Sequence, residues 1–267
     1  MASIEKNLKS LANDFYISKD STEKIKIEAS LKNIKSKVKQ KFGNSIIDIV
    51  EFGSYVRKTN LPRTYDEKSD IDLMIVFNHD RLNWTPATYR KYLLQFTDEY
   101  FRNSISYKSS PTVVLELNYI KYDLVPAFQR DEGWFTTSMV MYIPKSDTDW
   151  LETDPHSFSE KLKEVNENYN FNVKRIIRLL KAWNAKVGYP YESFTLEKKI
   201  AKMSFSGDNL EEGFFYAIDN LAIDSYSTSA EKKLNALKDN AERVEDALHD
   251  EDMKTALRWL GHILPLN

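Results

Sequence analysis

The segment 69–77 constrains the fold most, because two aspartates, Asp70 and Asp72, open a run that is otherwise apolar. The residues behind them alternate along a strand so that both of its faces are apolar: Ile71, Leu73, Met74, Ile75, Val76 and Phe77. Such a strand is typical of the buried centre of a sheet. Acids at its entrance are costly unless something positive binds there. The segment therefore predicts a central strand with a cation site at its start.

The spacing of Asp70 and Asp72 suits a pair of divalent cations. Residues i and i+2 of a strand point to the same side and lie roughly 6.5–7 Å apart. Carboxylates so placed can reach two cations held about 3.5–4 Å apart, as in phosphoryl and nucleotidyl transfer. Oxygen ligands select Mg²⁺ or Mn²⁺. A surface turn is the alternative for such a pair, and the doubly apolar strand favours the metal site.

Gly53 and Ser54 follow an apolar run, 46–50, which predicts a strand that ends in a turn. A glycine lets the backbone approach a phosphate, and the Ser54 hydroxyl with nearby N–H groups can hold β- and γ-phosphates. Without the aspartates downstream, the same dipeptide would predict only a turn. We interpret Gly53 and Ser54 as nucleotide-binding residues.

A third acid, Asp123, lies within the apolar segment 122–126. It could complete a site of three carboxylates by binding the catalytic metal and accepting the proton of an attacking hydroxyl. Glu116 is the alternative for this role, although an exposed position on the outer sheet face is favoured for it. Asp70, Asp72 and Asp123 are thus the predicted catalytic and metal-binding residues.

Composition excludes several other classes of site. The 267 residues include no cysteine, which excludes disulfides and thiolate metal sites. The four histidines are scattered and do not have the spacing of zinc ligands. The net charge of −2 gives no bulk attraction to nucleic acid. Neither a P-loop nor a Rossmann glycine motif occurs. No apolar run has the length of a signal core or a membrane span, so we expect a cytoplasmic protein without a membrane partner.

Near residues 150–156 the spacing at which apolar residues recur changes from two residues, typical of strands, to 3.6 residues, typical of helices. This change predicts an α+β fold in which a mixed sheet is followed by a helical part. We expect a catalytic lobe at 1–155, with an N-terminal helix and four to five strands, and an α-helical lobe at 156–267. Helices are predicted at 3–17, 88–104, 157–168, 171–187, 193–204, 210–224 and 229–262. A further helix is predicted to begin at a capping box formed by Asp20 and Glu23 and to end near residue 42. Strands are predicted at 46–52, 70–77, 113–119, 122–126 and 139–143.

Two basic helix faces allow more than one interpretation. The helix before residue 42 carries seven lysines on one face, which could dock nucleic acid or a partner, but the interspersed Glu23 and Glu28 favour a solvated face. On the helix 171–187, Lys174, Arg178 and Lys181 form a row that could neutralise a triphosphate. In isolation a solvated basic face is favoured there too. Ser193 starts the next helix, either as an anion site or as a plain N-cap.

Taken together, these residues resemble the polymerase-β-like nucleotidyltransferases. More narrowly, they are similar to the cGAS/DncV-like (CD-NTase, SMODS) enzymes and the oligoadenylate synthetases. The resemblance is carried by Gly53-Ser54, Asp70-x-Asp72 and Asp123, supported by Thr59 and by three stretches: Arg178-Leu-Leu-Lys181-Ala-Trp, Ser193-Phe-Thr-Leu-Glu197 and Trp150 to Pro155. It spans roughly residues 45–200. Phe194 stands where the family usually has Tyr, and the absence of cysteine excludes the zinc-binding DNA sensor of the animal branch.

The resemblance implies a bilobal fold that binds NTPs and two Mg²⁺ ions. Asp70, Asp72 and Asp123 would bind the metals, Gly53 and Ser54 would grip the triphosphate, and Lys181 and Ser193 would contact phosphates. The expected reaction is template-independent attack of a 2′- or 3′-hydroxyl on an α-phosphate, which would make a cyclic or short linear oligonucleotide signal in bacterial anti-phage defence. NTP or dNTP substrates, a nucleic-acid or protein activator and a downstream effector are the expected partners. Nucleotidyl transfer to a protein or small molecule, and a silent nucleotide-binding module, are the alternatives.

Overall fold

A computed structural model describes residues 2–109, 111–133, 139–205, 209–223 and 227–266. The chain divides into two compact units that do not follow one cut in the sequence. A sheet unit comprises Lys19–Arg57 and Lys68–Glu160, and a helical unit comprises Met1–Ser18, Lys58–Glu67 and Lys161–Asn267. This architecture is of the predicted α+β class. No helix in the described ranges is long and apolar enough to cross a membrane.

The sheet unit contains a mixed sheet whose seven strands include two more than the largest number predicted. The strands are β1 Ile46–Phe52, β2 Asp70–Phe77, β3 Ile105–Ser109, β4 Thr112–Glu116, β5 Lys121–Asp131, β6 Met139–Pro144 and β7 Trp150–Thr153. Their order is β1-β2-β5-β4-β3, with β6 paired to β5 and β7 paired to β6. The pair β2–β5 is parallel and the other pairs are antiparallel. The missed strands, β3 and β7, carry mostly exposed or half-buried side chains, so neither leaves a buried apolar alternation in the sequence.

Strand β2 occupies the predicted central position, between β1 and β5. Every residue from Leu73 to Phe77 is at most 1 % exposed, and so is Ile71. Burial on both faces explains why this strand reads as a continuous apolar run rather than an alternating one. The start of β2, where the two aspartates lie, is half-buried.

Four helices belong to the sheet unit: α2 Thr22–Phe42, α3 Gly53–Arg57, α4 His79–Leu82 and α5 Pro86–Tyr100. The predicted apolar stripe of α2 is buried at Ile27, Leu31, Ile34 and Val38. The predicted cap is wrong, however, because Ser21 rather than Asp20 caps this helix, accepting a hydrogen bond from the N–H of Lys24. A serine one residue closer to the helix makes the same contact that the aspartate was expected to make.

The lysines of α2 are largely engaged within the unit. Lys35 pairs with Glu51 at 2.6 Å, and Lys41 pairs with Glu99. Lys24 contacts the Tyr55 hydroxyl and Glu28. These pairs cancel much of the positive charge on this face. The solvated face is therefore a better interpretation than a nucleic-acid surface.

The helical unit contains α1 Glu5–Asp14, α7 Val173–Lys186, α8 Ser193–Ala201, α9 Leu210–Asn220, α10 Thr228–His249 and α11 Met253–Ile263, together with most of α6 Ser157–Asn168. The predicted stripe of α7 is buried at Val173, Ile176, Ile177, Leu180 and Trp183. The prediction of a single helix at 229–262 is wrong, since residues 250–252 form a non-helical link between α10 and α11. Glu251 there has φ 58°, and the Asp252 carboxylate caps α11. The prediction for 210–224 extends past the end of α9, and its last residue lies outside the described residues.

Candidate active site

Strand register brings the three predicted aspartates together. In the parallel pair β2–β5, Asp72 lies opposite Asp123, and Asp70 lies opposite Lys121. Neighbouring strands are separated by about 4.8 Å, and residues two apart on one strand share a face. Asp70, Asp72 and Asp123 therefore lie on one face at one end of the sheet.

Gly53 lies against the carboxylate of Asp72. It follows β1 directly, has φ +75°, and begins α3, where a plain turn was predicted. A Cβ at this position would come to 1.8 Å from Asp72 Oδ2 and 2.7 Å from its Cγ. Both the backbone angle and the close approach require glycine here. The next residue, Ser54, is half-buried in α3. Its predicted contact with phosphate, and that of Gly53, remain predictions.

Lys121 is part of this cluster and was missed by the sequence interpretation. Its Nζ lies 3.2 Å from Asp70 Oδ2 and 3.6 Å from Asp123 Oδ1. Burial lowers the pKa of Lys121, but the charges of Asp70 and Asp123 more than offset it, so that the pKa is raised overall. The available signal was its position two residues before Asp123, which places both side chains on one face of β5.

Burial and mutual repulsion disfavour the ionised forms of two of the aspartates. Burial, followed by the charges of Asp70 and Asp123, raises the pKa of Asp72 from 3.8 to about 8. Burial and Asp70 also raise the pKa of Asp123, to about 6, against the opposing effect of Lys121. A site that carries more negative charge than its surroundings neutralise is one that a cation would stabilise.

The donor set fits a hard divalent cation. Carboxylate oxygens are the ligands that Mg²⁺ and Mn²⁺ prefer, and the buried Oδ1 of Asp123 accepts no hydrogen bond from the residues that the structure describes. Within the described residues no three acidic or histidine side chains enclose a metal position. Asp70 and Asp123 instead contact Lys121. The aspartates share one face of the sheet, and cation binding would require their side chains and their ion pairs with Lys121 to rearrange.

Glu116, the alternative third acid, is half-buried on β4. It lies opposite Lys121 in the antiparallel pair β4–β5, and it accepts a hydrogen bond of 3.0 Å from the Tyr107 hydroxyl. Asp123, rather than Glu116, is the residue in register with Asp72. The geometry thus favours Asp123 as the third member of the cluster.

Lys181, a predicted phosphate contact, lies in the helical unit. It is only 4 % exposed, and its Nζ pairs with Oε1 of the fully buried Glu197 at 3.1 Å. Thr59 donates a hydrogen bond of 2.9 Å to the same oxygen. The alternative of a solvated basic face is therefore wrong for Lys181.

Arg178 is buried one turn before Lys181 on α7. Its Nε donates to the carbonyl oxygen of Ala12 and its Nη1 to that of Lys58, at 3.0 and 3.1 Å. Burial lowers the pKa of Arg178 to about 10. Lys174 is half-buried, and its pKa is lowered by burial and by the charges of Lys58 and Arg178. Arg178 therefore joins three segments of the helical unit rather than facing solvent.

Ser193 begins α8, as predicted, but it does not cap the helix. The N-cap residue is Glu192, whose carboxylate accepts hydrogen bonds from the N–H groups of Phe194 and Thr195. The interpretation of Ser193 as an N-cap is wrong for this reason. Glu192 also takes up two of the N–H groups that an anion at this helix start would use. A phosphate contact from Ser193 remains a prediction.

Comparison with known proteins identifies the family. The model of the Second Messenger Oligonucleotide or Dinucleotide Synthetase (SMODS) domain matches residues 1–166. This chain is a SMODS-family protein. A probable cyclic nucleotide synthase of Bacillus cereus (strain VD146) is 29 % identical over 182 residues, which are 56 % of this chain and 54 % of the relative. The chain spans little more than half the length of the curated relatives that it matches.

Solved structures of several other proteins share the fold of this SMODS-family protein. The cyclic dinucleotide synthase CdnE of Elizabethkingia meningoseptica, solved with GTP and Apcpp, matches with a TM-score of 0.64 and 16 % identity, over 86 % of this chain and 96 % of that one. CdnC of E. coli MS115-1, solved in a complex with HORMA-deltaN, matches with a TM-score of 0.66 and 14 % identity, over 97 % and 96 %. These likenesses confirm the predicted CD-NTase fold.

Proposed function

We propose that this protein is a metal-dependent nucleotidyltransferase that joins nucleotides without a template into a cyclic or short linear oligonucleotide signal. The observation that carries the proposal is the register of β2 and β5, which gathers Asp70, Asp72 and Asp123 on one face of the sheet. The family match supports it, as does the activity named for the Bacillus relative.

The three aspartates share the metal-binding role in the proposed reaction, and Asp123 has a second role. Asp70, Asp72 and Asp123 would hold two Mg²⁺ or Mn²⁺ ions, which supply Lewis-acid activation of the hydroxyl and of the α-phosphate. Asp123, which lies on the same face as the other two aspartates, would also accept the proton of the attacking 2′- or 3′-hydroxyl. The hydroxyl oxygen forms a bond to the α-phosphorus, and the bond to pyrophosphate breaks.

Other residues would hold the nucleotide. Gly53 has no side chain, which would let its backbone and the neighbouring N–H groups approach a triphosphate beside Ser54. Lys181 and Ser193 are proposed to contact phosphates, with Glu197 and Thr59 fixing the position of the Lys181 ammonium. The substrates would be NTPs or dNTPs, including ATP.

The biological setting is proposed from the resemblance to the cGAS/DncV-like enzymes. A nucleotide signal would act on a downstream effector, and we place it in bacterial anti-phage defence. CdnC was solved with a HORMA partner, which supports a protein activator as one possibility for this chain beside a nucleic-acid activator.

The test is incubation of the purified protein with Mg²⁺ or Mn²⁺ and each labelled NTP and dNTP, followed by chromatography and mass spectrometry. We expect small products that resist phosphatase, and a ladder would indicate linear oligomers. Asp72→Asn should abolish product formation, whereas Asp80→Asn, which neutralises an exposed aspartate on α4, should not. Full activity of Asp72→Asn would contradict the metal assignment, and label on the protein itself would favour transfer to an acceptor.

A further inference from the structure

Lys121 contacts two of the three carboxylates of the aspartate cluster. Its Nζ lies 3.2 Å from Asp70 and 3.6 Å from Asp123. It is also opposite Asp70 and Glu116 in the sheet, because β5 pairs with β2 on one side and β4 on the other. Three acidic residues, Asp70, Glu116 and Asp123, thus contact Lys121 or lie opposite it in the sheet. The side chain of Lys121 is 20 % exposed, so a path to solvent is open to it.

The cluster has few other cations to balance it. The positive groups that act on Asp72 are Arg57 and Lys121, and Lys121 is the one that forms ion pairs with the aspartates in the described part of the chain. Three neighbouring carboxylates with a single contacting cation retain a net negative charge. Removal of Lys121 would leave their repulsion without a contacting positive partner.

The position of the Lys121 ammonium conflicts with that of a metal ion. It lies within 4 Å of carboxylate oxygens on Asp70 and Asp123, the ligands that a divalent cation needs. An ammonium group that contacts these oxygens repels an incoming metal ion and engages lone pairs that the metal would use, so the two compete for the same ligands. Lysine is suited to yielding this position, because its charge is carried on a flexible four-carbon stem.

We propose that Lys121 is the resident counter-ion of the aspartate cluster, which stabilises the metal-free protein and competes with the divalent cation for Asp70 and Asp123. This inference rests on the proposed function, since it takes the aspartates as metal ligands. Lys121 is then a positioning residue that keeps the carboxylates in place before metal arrives. It also weakens metal binding, because the cation must first displace the ammonium.

The test measures metal binding and stability directly, independent of turnover. Mn²⁺ affinity is obtained from the electron paramagnetic resonance signal of free Mn²⁺, and thermal unfolding is followed in EDTA and at saturating Mn²⁺. The variants are Lys121→Met and Lys121→Arg. The matched control is Lys91→Met, which removes an exposed lysine on α5 of the same unit.

We expect Lys121→Met to bind Mn²⁺ about tenfold more tightly than the wild type, because the repulsion of a unit charge about 4 Å away has an effect of this order or larger near a protein surface. In EDTA its unfolding midpoint should fall, and Mn²⁺ should raise that midpoint more than it does in the wild type. Lys121→Arg keeps the charge, so its unfolding midpoint in EDTA should stay near that of the wild type, and its Mn²⁺ affinity should not exceed the wild type's, because a guanidinium holds carboxylates at least as firmly. Lys91→Met should resemble the wild type in both measurements.

Equal or weaker Mn²⁺ affinity in Lys121→Met would overturn the inference. If the wild type binds Mn²⁺ and forms product in that case, the proposed function stands and only the role of Lys121 falls. If neither protein binds Mn²⁺ and neither forms product, the proposed function falls together with the inference.

Discussion

Replacement of Gly53 by alanine tests how the aspartate cluster is held. The added Cβ would lie 1.8 Å from Asp72 Oδ2, 2.7 Å from its Cγ and 3.1 Å from its Cβ. Rotation of the Asp72 side chain can move the carboxylate away, but it cannot move the Asp72 Cβ, which is fixed to the central strand β2. We therefore expect both the carboxylate and the local backbone to shift.

The magnitude follows from two separate costs. An L-residue at φ +75° costs about 1–2 kcal/mol relative to glycine. Overpacking against Asp72 adds about 1–3 kcal/mol. We expect Gly53→Ala to lower the free energy of unfolding by about 2–5 kcal/mol and to weaken Mn²⁺ binding, because Asp72 no longer points as it does beside glycine.

Gly43→Ala is the matched control. Gly43 also has a positive φ, +49°, but a Cβ there would have no other atom within 4 Å. It carries a backbone cost of its own, since φ 49° and ψ −125° are a conformation that L-residues rarely adopt, but it makes no contact with Asp72. Mn²⁺ titration should therefore separate the two variants, with Gly43→Ala retaining the affinity of the wild type. Unchanged Mn²⁺ affinity in Gly53→Ala, or an equal loss of affinity in Gly43→Ala, would refute the argument.

Two further substitutions test the charges of each unit. In EDTA the free energy of unfolding of the wild type should fall relative to that of Asp72→Asn as the pH rises from about 4 to about 8, by at most about 6 kcal/mol. The reason is that folded Asp72 retains a proton that the unfolded chain has released. Urea unfolding across this pH range checks the prediction, and parallel curves for the two proteins would contradict it. Glu197→Gln should lower the free energy of unfolding by about 3–5 kcal/mol, since it leaves the buried Lys181 without a charged partner. Urea unfolding measures this loss, and a value below about 1 kcal/mol would show that the ion pair is dispensable for stability.

The sequence was informative wherever burial left a local pattern. The central strand could be predicted because Leu73 to Phe77 are apolar on both faces. Asp70 and Asp72 were recognisable because acids at the start of such a strand require a positive partner. Asp123 could be predicted on the same ground, as an acid within an apolar strand.

Lys121 could not be assigned to the site without strand register. Its contact with Asp70 exists because β2 and β5 are parallel neighbours in one particular alignment. A shift by one residue would place Lys121 and Asp123 on the opposite face from the aspartates of β2. The local sequence around Lys121 does not specify that alignment, and the predicted strands, 113–119 and 122–126, left Lys121 outside both.

The basic residues of α7 show the same limit in the helical unit. Helical periodicity separates an apolar face of α7 from a polar one, but it does not tell whether the polar face meets solvent or a partner. For Arg178 the partners are backbone carbonyls at Ala12 and Lys58, and for Lys181 the partner is Glu197. All of them come from other segments of the chain. Because Glu197 and Thr59 fix the Lys181 ammonium inside the helical unit, a phosphate contact by Lys181 would depend on this buried pair as much as on the lysine itself.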